Sequence, residues 1–292
     1  MVIAGCGFLG EAAAFLFSES GSHVLGLCST RETAGRLANR PFEVRATDIA
    51  GSLSSIPKPW KTPDLLIHCA SSRGGDADAY RAVYRDGLSN LMNFFEPRRV
   101  IFTGSTSVYA QENGEWVDEN SPTKPSRETG RILLETEALA LCAGGIVARL
   151  AGIYGPGRSV FLRKFLEGSA VLEGEGSRWI NQIHRDDAAR ALAFLANPTV
   201  QAGIYNVCDD SPVTQRDICG WIAEFLDKPP PPDGPHDRNR KRGWTSKRVS
   251  NAKLRSNGWA PRFPSFRQAL PSLAADPPQP GALCRNALKK RF

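Results

Sequence analysis

The chain has 292 residues, of which 41% are hydrophobic and 23% are charged, as is usual for a globular protein. This composition excludes a collagen-like, disulfide-scaffold or globally disordered chain, and no apolar run reaches the roughly 18 residues that a membrane span needs. The formal net charge is +7, but residues 236–292 carry 14 basic and 2 acidic side chains, so the preceding part is mildly acidic. A nucleic-acid interpretation of the charge would therefore depend on the last fifth of the chain.

The seven cysteines are scattered along the chain, with no Cys-x-x-Cys pair and no zinc-ligand spacing. No basic stretch followed by an apolar segment opens the chain, so no secretory signal is visible. We therefore expect free thiols in a reducing cytoplasm, with no metal site and no membrane partner.

The first thirty residues are typical of a strand, a glycine turn, a helix and a second strand. The apolar run Val2–Ala4 meets the turn at 5–10, helix formers fill 11–18, and a second apolar run covers 23–28. Only three residues precede the turn, which is short for a buried strand, and we interpret this as a truncated or mis-assigned start.

Apolar runs and helical periodicities alternate along the rest of the chain. Strands are predicted at 65–70, 100–103 and 146–150, and helices at 79–95, 126–141, 161–167, 186–195 and 217–226. Strands that alternate with helices predict an α/β fold with a doubly wound parallel sheet covered on both faces.

The turn reads Gly5-Cys-Gly-Phe-Leu-Gly10, which is the GxGxxG pattern of dinucleotide-binding proteins. In this pattern Gly5 permits the tight turn, Gly7 lets a pyrophosphate approach the backbone, and Gly10 allows the helix to pack closely on the strand. Phe8 and Leu9 begin the helix whose amino terminus faces the anion. The sequence therefore predicts that a dinucleotide cofactor binds at this loop, and the alternative is a glycine-rich turn without a ligand.

The end of the second strand discriminates between the cofactors NAD and NADP. NAD-binding folds place a carboxylate there for the ribose 2′-hydroxyl, whereas this chain has Ser29, Thr30 and Arg31, with no acid before Glu32. Hydroxyls and a guanidinium suit a 2′-phosphate, so we predict NADP in preference to NAD. The alternative is that Arg31 is a solvated residue at a helix start.

Five motifs occur together in order: 5–10, 102–109, 149–157, 183–187 and 204–208. They resemble the extended short-chain dehydrogenase/reductases, the NAD-dependent epimerase/dehydratase family, over about residues 1–273. The resemblance implies a Rossmann domain at 1–155, to which 183–207 return, and a small C-terminal substrate domain at 156–182 and 208–273. It also implies that Asp48 and Ile49 flank the adenine and that Cys69, Ala70 and Ser71 border the ribose and phosphates. Residues 274–292 are predicted to be a disordered tail.

The family uses a serine, and a tyrosine followed four residues later by a lysine that lowers the pKa of the phenol. Ser105 fills the serine position, but Thr129 and Leu133 stand where the resemblance places the tyrosine and the lysine. The chain has tyrosines only at 80, 84, 109, 154 and 205, and none is followed four residues later by lysine. The sequence thus resembles atypical members of the family that lack this pair.

Several residues are candidates for the missing chemistry. Tyr109 is a weak candidate for the proton donor, since its role in the family is structural, and His184 has a suitable pKa but is more often structural. Lys124 is the lysine nearest the altered site, and a solvated loop lysine is its default interpretation.

Substrate-binding candidates are Ser105, Tyr154, Arg158 and His184, although Arg158 is equally typical of a solvated loop. Asp186 and Asp187 are interpreted as helix-capping residues and not as a metal pair.

Three functions remain open at the level of sequence. The first is an NADP-dependent oxidoreductase or epimerase-like enzyme with a rearranged proton donor, acting on a nucleotide-sugar-like or other anionic molecule. The second is a non-catalytic protein that senses NADP(H) and regulates a partner. The third, less favoured, is a nucleic-acid contact through the basic segment 238–255. Residues 247–254 of that segment resemble a segment of the family's small domain, so the basic cluster is equally compatible with contact to an anionic substrate such as a nucleotide-sugar diphosphate. A homodimer is compatible with each of the three functions.

Overall fold

The computed structural model describes residues 1–235 and 245–276. Part of the basic segment 238–255 and most of the expected tail, residues 277–292, lie outside the described residues.

The strands of the described part are short, and most of the buried ones belong to one sheet. They are β1 (Val2–Ala4), β2 (Leu25–Cys28), β3 (Glu43–Ala46), β4 (Leu66–His68), β5 (Val100–Ser105), β6 (Glu115–Val117), β7 (Ile146–Leu150), β8 (Gly152–Tyr154), β9 (Leu172–Glu173), β10 (Trp179–Ile180), β11 (Gln182–His184), β12 (Gly203–Val207), β13 (Val213–Thr214), β14 (Asp233–Gly234) and β15 (Lys247–Val249).

The helices of the same residues alternate with these strands in the first two thirds of the chain. They are α1 (Phe8–Glu19), α2 (Arg31–Arg36), α3 (Ala77–Tyr80), α4 (Gly87–Phe95), α5 (Glu128–Cys142), α6 (Val160–Leu166), α7 (Arg185–Leu195), α8 (Gln215–Phe225), α9 (Ala252–Ser256) and α10 (Phe266–Ala275). A π-helical segment, Arg81–Asp86, joins α3 to α4.

Seven parallel strands form the central sheet in the order β12-β7-β5-β4-β1-β2-β3. The order reverses between β1 and β4, which is the topological switch point where α/β sheets bind their ligands. The inner strands are buried along their whole length because helices cover both faces, as a run of apolar residues in a parallel strand requires. The predicted doubly wound α/β fold is therefore confirmed.

A second apolar cluster lies apart from the sheet. It brings together side chains of α6, α8 and α10, and its largest members are Tyr154, Phe165 and Phe266. Asp187, on α7, connects the two parts: its carboxylate oxygens accept hydrogen bonds from the backbone N–H groups of Arg262 and Phe263, both at 2.8 Å. The chain after 260 is thereby fixed to the helix layer of the sheet.

The predicted strands of the central sheet, and the predicted helices that follow them, occur within a few residues of their expected bounds. The region expected as one helix at 79–95 is α3, the π segment and α4 in succession. Helix α10 extends to Ala275, so the first two residues of the expected tail are helical. Strand β3 was not predicted, because its exposed and half-buried residues form no apolar run.

None of the helices within the described ranges is long and apolar enough to cross a membrane.

Candidate functional site

The glycine loop lies at the switch point, between β1 and α1. Gly5 has φ +93°, a backbone conformation that side chains rarely adopt, and a Cβ on it would lie 2.2 Å from the backbone nitrogen of Ala70. The first glycine therefore permits both the turn and the close approach of the chain that follows β4.

The next two glycines differ in what surrounds them. A Cβ on Gly7 would have no heavy atom within 4 Å, whereas a Cβ on Gly10 would lie 2.2 Å from the carbonyl oxygen of Gly5. Gly7 is the N-cap of α1 and offers no capping side chain, so the first-turn N–H groups of this 12-residue helix are not capped. Open space before uncapped N–H groups fits an anionic group such as a pyrophosphate.

The residues expected beside the ribose and phosphates reach this loop from β4. The backbone N–H of Cys69 donates to the carbonyl of Ala4 at 2.6 Å, which fixes the strand end against β1. Ser71 is exposed, and its hydroxyl accepts a hydrogen bond from the N–H of Arg73 at 3.2 Å. The structure thus brings Gly5, Cys69 and Ala70 together at one edge of the sheet.

Ser29, Thr30 and Arg31 are all exposed where β2 ends. Thr30 is the N-cap of α2, and its hydroxyl oxygen accepts from the N–H of Thr33 at 3.2 Å, a role that the sequence analysis did not assign. Arg31 begins α2 and has no hydrogen bond or ion pair with any described residue, so its guanidinium is available to a ligand.

The acid nearest in sequence to the glycine loop is Glu11, in the first turn of α1, and its charge is already compensated. Its carboxylate accepts from Arg36 at 2.8 Å and from Arg40 at 2.6 Å, both on or just after α2. Partial burial raises the pKa of Glu11, but the hydrogen bonds from the two arginines outweigh it and lower the pKa. An anionic group near α2 therefore meets little net negative charge from Glu11.

The two residues expected beside an adenine follow β3, the edge strand next to β2. Asp48 is exposed, and its side chain accepts from the N–H of Ala50 at 3.0 Å. Ile49 is buried, and its carbonyl accepts a hydrogen bond from the side chain of Asn90 at 2.8 Å. Both therefore lie at the carboxyl edge of the sheet, the edge that carries the glycine loop.

Ser105 ends β5, next to Leu150 of β7 in the sheet register, and is half-buried. Its hydroxyl oxygen accepts from the N–H of Ser107 at 3.2 Å, so the side chain caps a short 3-10 turn. Thr129 lies half-buried in the first turn of α5, and Leu133, one turn later, is only 4% exposed and packs in the main core. Neither side chain can supply an ionisable group.

Tyr109 is completely buried within a network of charged side chains. Its hydroxyl donates to Asn206 at 2.9 Å and accepts from Arg149 at 2.9 Å, while Arg149 makes a bidentate ion pair with Glu137 of α5. Both hydrogen-bonding directions of the hydroxyl are used inside the core. This placement accords with a structural role for Tyr109 and not with proton transfer to a substrate.

Tyr154 and His184 are neighbours in the register of β8 and β11, and their rings lie 5.4 Å apart. They are 2% and 1% exposed. The Nδ1 atom of His184 accepts from the N–H of Asp186 at 3.2 Å, so His184, and not an aspartate, is the N-cap of α7. Burial lowers the pKa of His184 despite the nearby Asp186 and Asp187, which keeps the imidazole neutral. Both residues are enclosed in the protein interior.

Two arginines cover Phe8 at the mouth of the glycine loop. The guanidinium carbon of Arg158 lies 4.9 Å from the centre of the Phe8 ring, and that of Arg185 lies 5.3 Å from it. Arg185 also pairs with Asp186 at 2.8 Å. The structure thus places Arg158 beside the glycine loop. Arg185 lies there too, and the sequence analysis missed it because the contact with Phe8 joins residues far apart in the chain.

The structure gives less support to the remaining candidate positions than to those described above. Lys124 is exposed in the loop before α5. Within the described ranges, no three His, Cys, Asp or Glu side chains are grouped so that they could hold a metal ion.

Known proteins of similar sequence and fold place the chain in a family. Protein YeeZ of Escherichia coli K12 is 27% identical over 238 residues, which cover 79% of this chain and 85% of that protein. A functionally unknown conserved protein from Silicibacter pomeroyi is 27% identical, with a TM-score of 0.76 over 94% of this chain and 98% of that one.

A structure with bound ligands is similar at lower identity. UDP-glucuronic acid 4-epimerase from Bacillus cereus, solved with UDP-glucuronic acid and NAD, is 18% identical, with a TM-score of 0.72 over 93% of this chain and 96% of that one. At this identity the likeness shows the fold alone. The model of the NAD dependent epimerase/dehydratase family matches residues 1–208. Since this match spans well over half of the 292 residues, the chain belongs to the NAD dependent epimerase/dehydratase family.

Proposed function

We propose that the protein is an NADP-binding oxidoreductase of the epimerase/dehydratase kind, which acts on a nucleotide-sugar-like or other anionic small molecule. The observation that carries this proposal is the glycine loop, whose open space at Gly7 and uncapped N–H groups fit a pyrophosphate. When bound, the nicotinamide supplies hydride transfer, and the protein supplies binding and orientation. Solved family-like structures that carry NAD and UDP-sugars support the substrate class.

The preference for NADP is supported by what surrounds the end of β2. Arg31 is exposed and has no partner among the described residues, and Glu11 is compensated by two arginines. A guanidinium can hold a 2′-phosphate with two hydrogen bonds, whereas a 2′-hydroxyl gains nothing comparable from it. In this proposal Asp48 and Ile49 flank the adenine, and Cys69, Ala70 and Ser71 border the ribose and phosphates.

Titration of NADPH and NADH against the wild type and Arg31→Ala tests this preference. We expect the variant to bind NADPH about tenfold or more weakly and NADH nearly unchanged. Arg98→Ala is the matched control, because Arg98 is exposed at the opposite end of the sheet, beside Asp64. Equal NADPH affinity in wild type and Arg31→Ala would contradict the assignment.

Ser105 is the residue proposed to hold the substrate carbonyl or hydroxyl, because it is half-buried at the edge that carries the glycine loop. Arg158 is proposed to contact an anionic group, since it lies at the mouth of that loop. Tyr154 and His184 are proposed to support the substrate region from the protein interior, because both side chains are buried.

A second function is favoured by one specific observation. Leu133 is packed in the core and Thr129 has no accessible ionisation, so the ordinary proton transfer of the family has no donor at these positions. The protein would then sense NADP(H) without turnover. Mass spectrometry of co-purified ligands separates the two: NADP bound with a sugar nucleotide supports the enzyme, and cofactor alone, inert to hydride exchange, supports the sensor.

A further inference from the structure

All five tyrosines of the chain lie among the described residues, and Tyr80 is the one that is not buried. The others are between 0% and 8% exposed; they are Tyr84, Tyr109, Tyr154 and Tyr205. The Tyr80 hydroxyl makes no hydrogen bond with any described residue, and its oxygen is not enclosed in the protein. Tyr80 therefore offers a phenol that is free to meet a ligand.

Ring contacts connect Tyr80 to the central sheet. The ring of Tyr80 lies 5.0 Å from that of Tyr84, one helical turn later. The ring of Tyr84 lies 6.2 Å from that of His68 and 6.3 Å from that of Phe102. His68 and Phe102 are partners in the register of β4 and β5. The two tyrosines therefore share the helix face that is turned towards these two strands.

The direction of the helix places Tyr80 at the carboxyl edge of the sheet. Helix α4 ends at the opposite edge, where the carbonyl of Phe95 accepts from the N–H of Thr62, in the loop before β4, at 2.7 Å. Tyr80 precedes Tyr84 and so lies one turn further from that end. Ser105 closes β5 at the carboxyl edge, which also carries the glycine loop. Tyr80 and Ser105 are thus on the same edge, beside the same strand.

A π-helical segment fixes the position of Tyr80. The segment Arg81–Asp86 begins directly after it, and the carbonyl of Val83 accepts a hydrogen bond from Nε2 of His68 at 3.0 Å. Segments of this kind are rare and occur frequently at functional sites. The bond ties the helix to the last residue of β4, from which the chain continues through Cys69 past the glycine loop.

The residue after Tyr80 connects it to the first turn of α5. The guanidinium of Arg81 pairs with Glu128 at 3.6 Å and with Glu135 at 3.2 Å. Glu128 begins α5 and directly precedes Thr129, the position at which the resemblance places the tyrosine of the family. Tyr80 therefore lies beside the end of α5 where the family would carry its phenol.

The charges around Tyr80 favour one direction of proton transfer. A phenol is protonated near neutral pH, so it can donate a proton unaided, whereas acceptance of one requires a cation that stabilises the phenolate. Leu133, where the resemblance places the lysine of the family, carries no charge, and Arg81 is already paired with two carboxylates. These surroundings suit an acid and not a base, and hence the reduction of a carbonyl and not the oxidation of an alcohol.

We propose that Tyr80 donates the proton when a substrate carbonyl is reduced by NADPH. The carbonyl carbon gains a hydride and NADPH is oxidised to NADP+, while the double bond between carbon and oxygen becomes single. The oxygen takes the proton of the Tyr80 hydroxyl, the product is an alcohol, and the phenolate regains a proton from water. This inference rests on the proposed function, since it names the proton donor that this function requires.

Fluorine NMR of the full chain labelled with 3-fluorotyrosine tests whether Tyr80 meets the ligands. The variant Tyr80→Phe assigns its signal among those of the five tyrosines. We expect this signal to shift when NADP+ and UDP-4-keto-6-deoxyglucose, a nucleotide keto sugar, are added together, because the oxidised cofactor forms a complex without turnover. The signal of Tyr205 is the internal control and should not move, since its hydroxyl donates to the carbonyl of Gln201 at 3.0 Å.

Steady-state reduction of the same keto sugar by NADPH tests the chemical step. We expect Tyr80→Phe, which keeps the ring and its contact with Tyr84, to lower kcat about a hundredfold or more with KM nearly unchanged. Tyr84→Phe is the matched control, because it removes the hydroxyl of a buried ring one turn away, and it should keep the kcat of the wild type.

The NADPH titration of each variant is the reference for folding. A normal NADPH affinity in Tyr80→Phe shows that the variant is folded, so a loss of turnover cannot come from unfolding. An unmoved Tyr80 signal would overturn the proposal, and so would equal kcat in wild type and Tyr80→Phe or an equal loss in Tyr84→Phe. The absence of NADPH oxidation by a wild type that binds NADPH would overturn it as well, because the proposed reaction is a reduction. Failure of the wild type to bind NADPH would instead overturn the proposed function.

Discussion

At the scale of single residues, the protein treats its buried charges in two different ways. Arg149 is 3% exposed and Glu137 is 2% exposed, and they compensate each other through a bidentate pair that ties α5 to β7. Lys247 is equally buried but has no such partner among the described residues. The first arrangement is typical of a structural ion pair, and the second leaves a buried charge without a counter-ion among the described residues.

The buried amine makes the stability of the protein depend on pH in a defined direction. Burial, aided by the like charge of Arg178, lowers the pKa of Lys247 to about 8, against about 10.4 in an unfolded chain. Between these values the unfolded state binds more protons, so the free energy of unfolding rises with pH, by about 3 kcal/mol in total from this group. Below pH 8 Lys247 is protonated in both the folded and the unfolded state, so the full free-energy cost of burying its charge is present.

Urea unfolding of wild type and Lys247→Met between pH 7 and pH 10.5 measures this contribution. We expect the difference in free energy of unfolding between the two proteins to narrow as pH rises, with Lys247→Met the more stable at pH 7. The other titrating groups cancel in this difference, because both proteins carry them. A difference that stays constant with pH would show that Lys247 keeps its ordinary pKa.

The sequence predicted the glycine loop well, because Gly5, Gly7 and Gly10 act through local backbone geometry that a motif records. The resemblance places the family's tyrosine and lysine at Thr129 and Leu133, near the start of one helix, and their replacement there stays a prediction. The sequence motifs gave no role to Arg185, and Lys247 was considered only as part of a basic segment that could contact nucleic acid or an anionic substrate. Their surroundings are made by residues far away in the chain, such as Phe8 and Asn181, and no local pattern records these contacts.

At the scale of elements, the longer helices and the five inner strands of the sheet were predictable because their apolar residues follow a clear period or run. The short helices α2 and α9, the helix α10 and the strands β11 and β12 were not predicted. The sequence did not predict strand β3, because it is an edge strand with exposed residues. It did not predict β6 and β15, because these two strands pair across some 130 residues of chain. Short strands of this kind are decided by tertiary pairing and not by local preference. The surroundings of Lys247 depend on the β6–β15 pair, so the sequence alone could not predict them.

The contact between α1 and the glycine loop leaves no room for a single added carbon atom at position 10. A Cβ at position 10 would lie 2.2 Å from the carbonyl oxygen of Gly5 and 3.4 Å from Ile3. In Gly10→Ala we expect the start of α1 to move away from β1, with a loss of about 1–3 kcal/mol in stability and weaker NADPH binding. Thermal unfolding and NADPH titration measure the two effects.

Gly35→Ala provides the matched control within a helix. Gly35 lies in α2, and a Cβ there would have no heavy atom within 4 Å. Alanine is the better helix former, so this variant is expected to gain up to about 1 kcal/mol and to bind NADPH as the wild type does. Tight NADPH binding by Gly10→Ala, equal to that of Gly35→Ala, would show that close packing at position 10 is not needed for the cofactor loop.

At the scale of the whole molecule, the sheet and the second apolar cluster must keep a fixed relation if groups on both are to meet one substrate. Asp187 provides a direct link, because its fully buried carboxylate holds the N–H groups of Arg262 and Phe263. The ring of Phe263 also lies 4.3 Å from that of His184, next to the start of α7. The segment that leads into α10 is thus anchored at one carboxylate.

Replacement of this carboxylate by an amide should release the anchor without leaving a large cavity. In Asp187→Asn one oxygen can still accept, but the NH₂ group faces an N–H donor, so at least one buried hydrogen bond is lost. We expect a decrease of about 1–3 kcal/mol in the free energy of unfolding. We also expect faster amide hydrogen exchange at 262–276 than in the wild type, because the local opening of this segment becomes easier.

Asp186→Asn separates the anchor from a general effect of charge on α7. Asp186 lies in the same helical turn but is half-exposed and pairs with Arg185, so its amide variant should leave exchange at 262–276 unchanged. If exchange in Asp187→Asn rose equally over the central sheet, the carboxylate would stabilise the fold as a whole. If it rose at 262–276 alone, the second cluster opens independently of the sheet, and a substrate that bridges Ser105 and the second cluster would slow that opening.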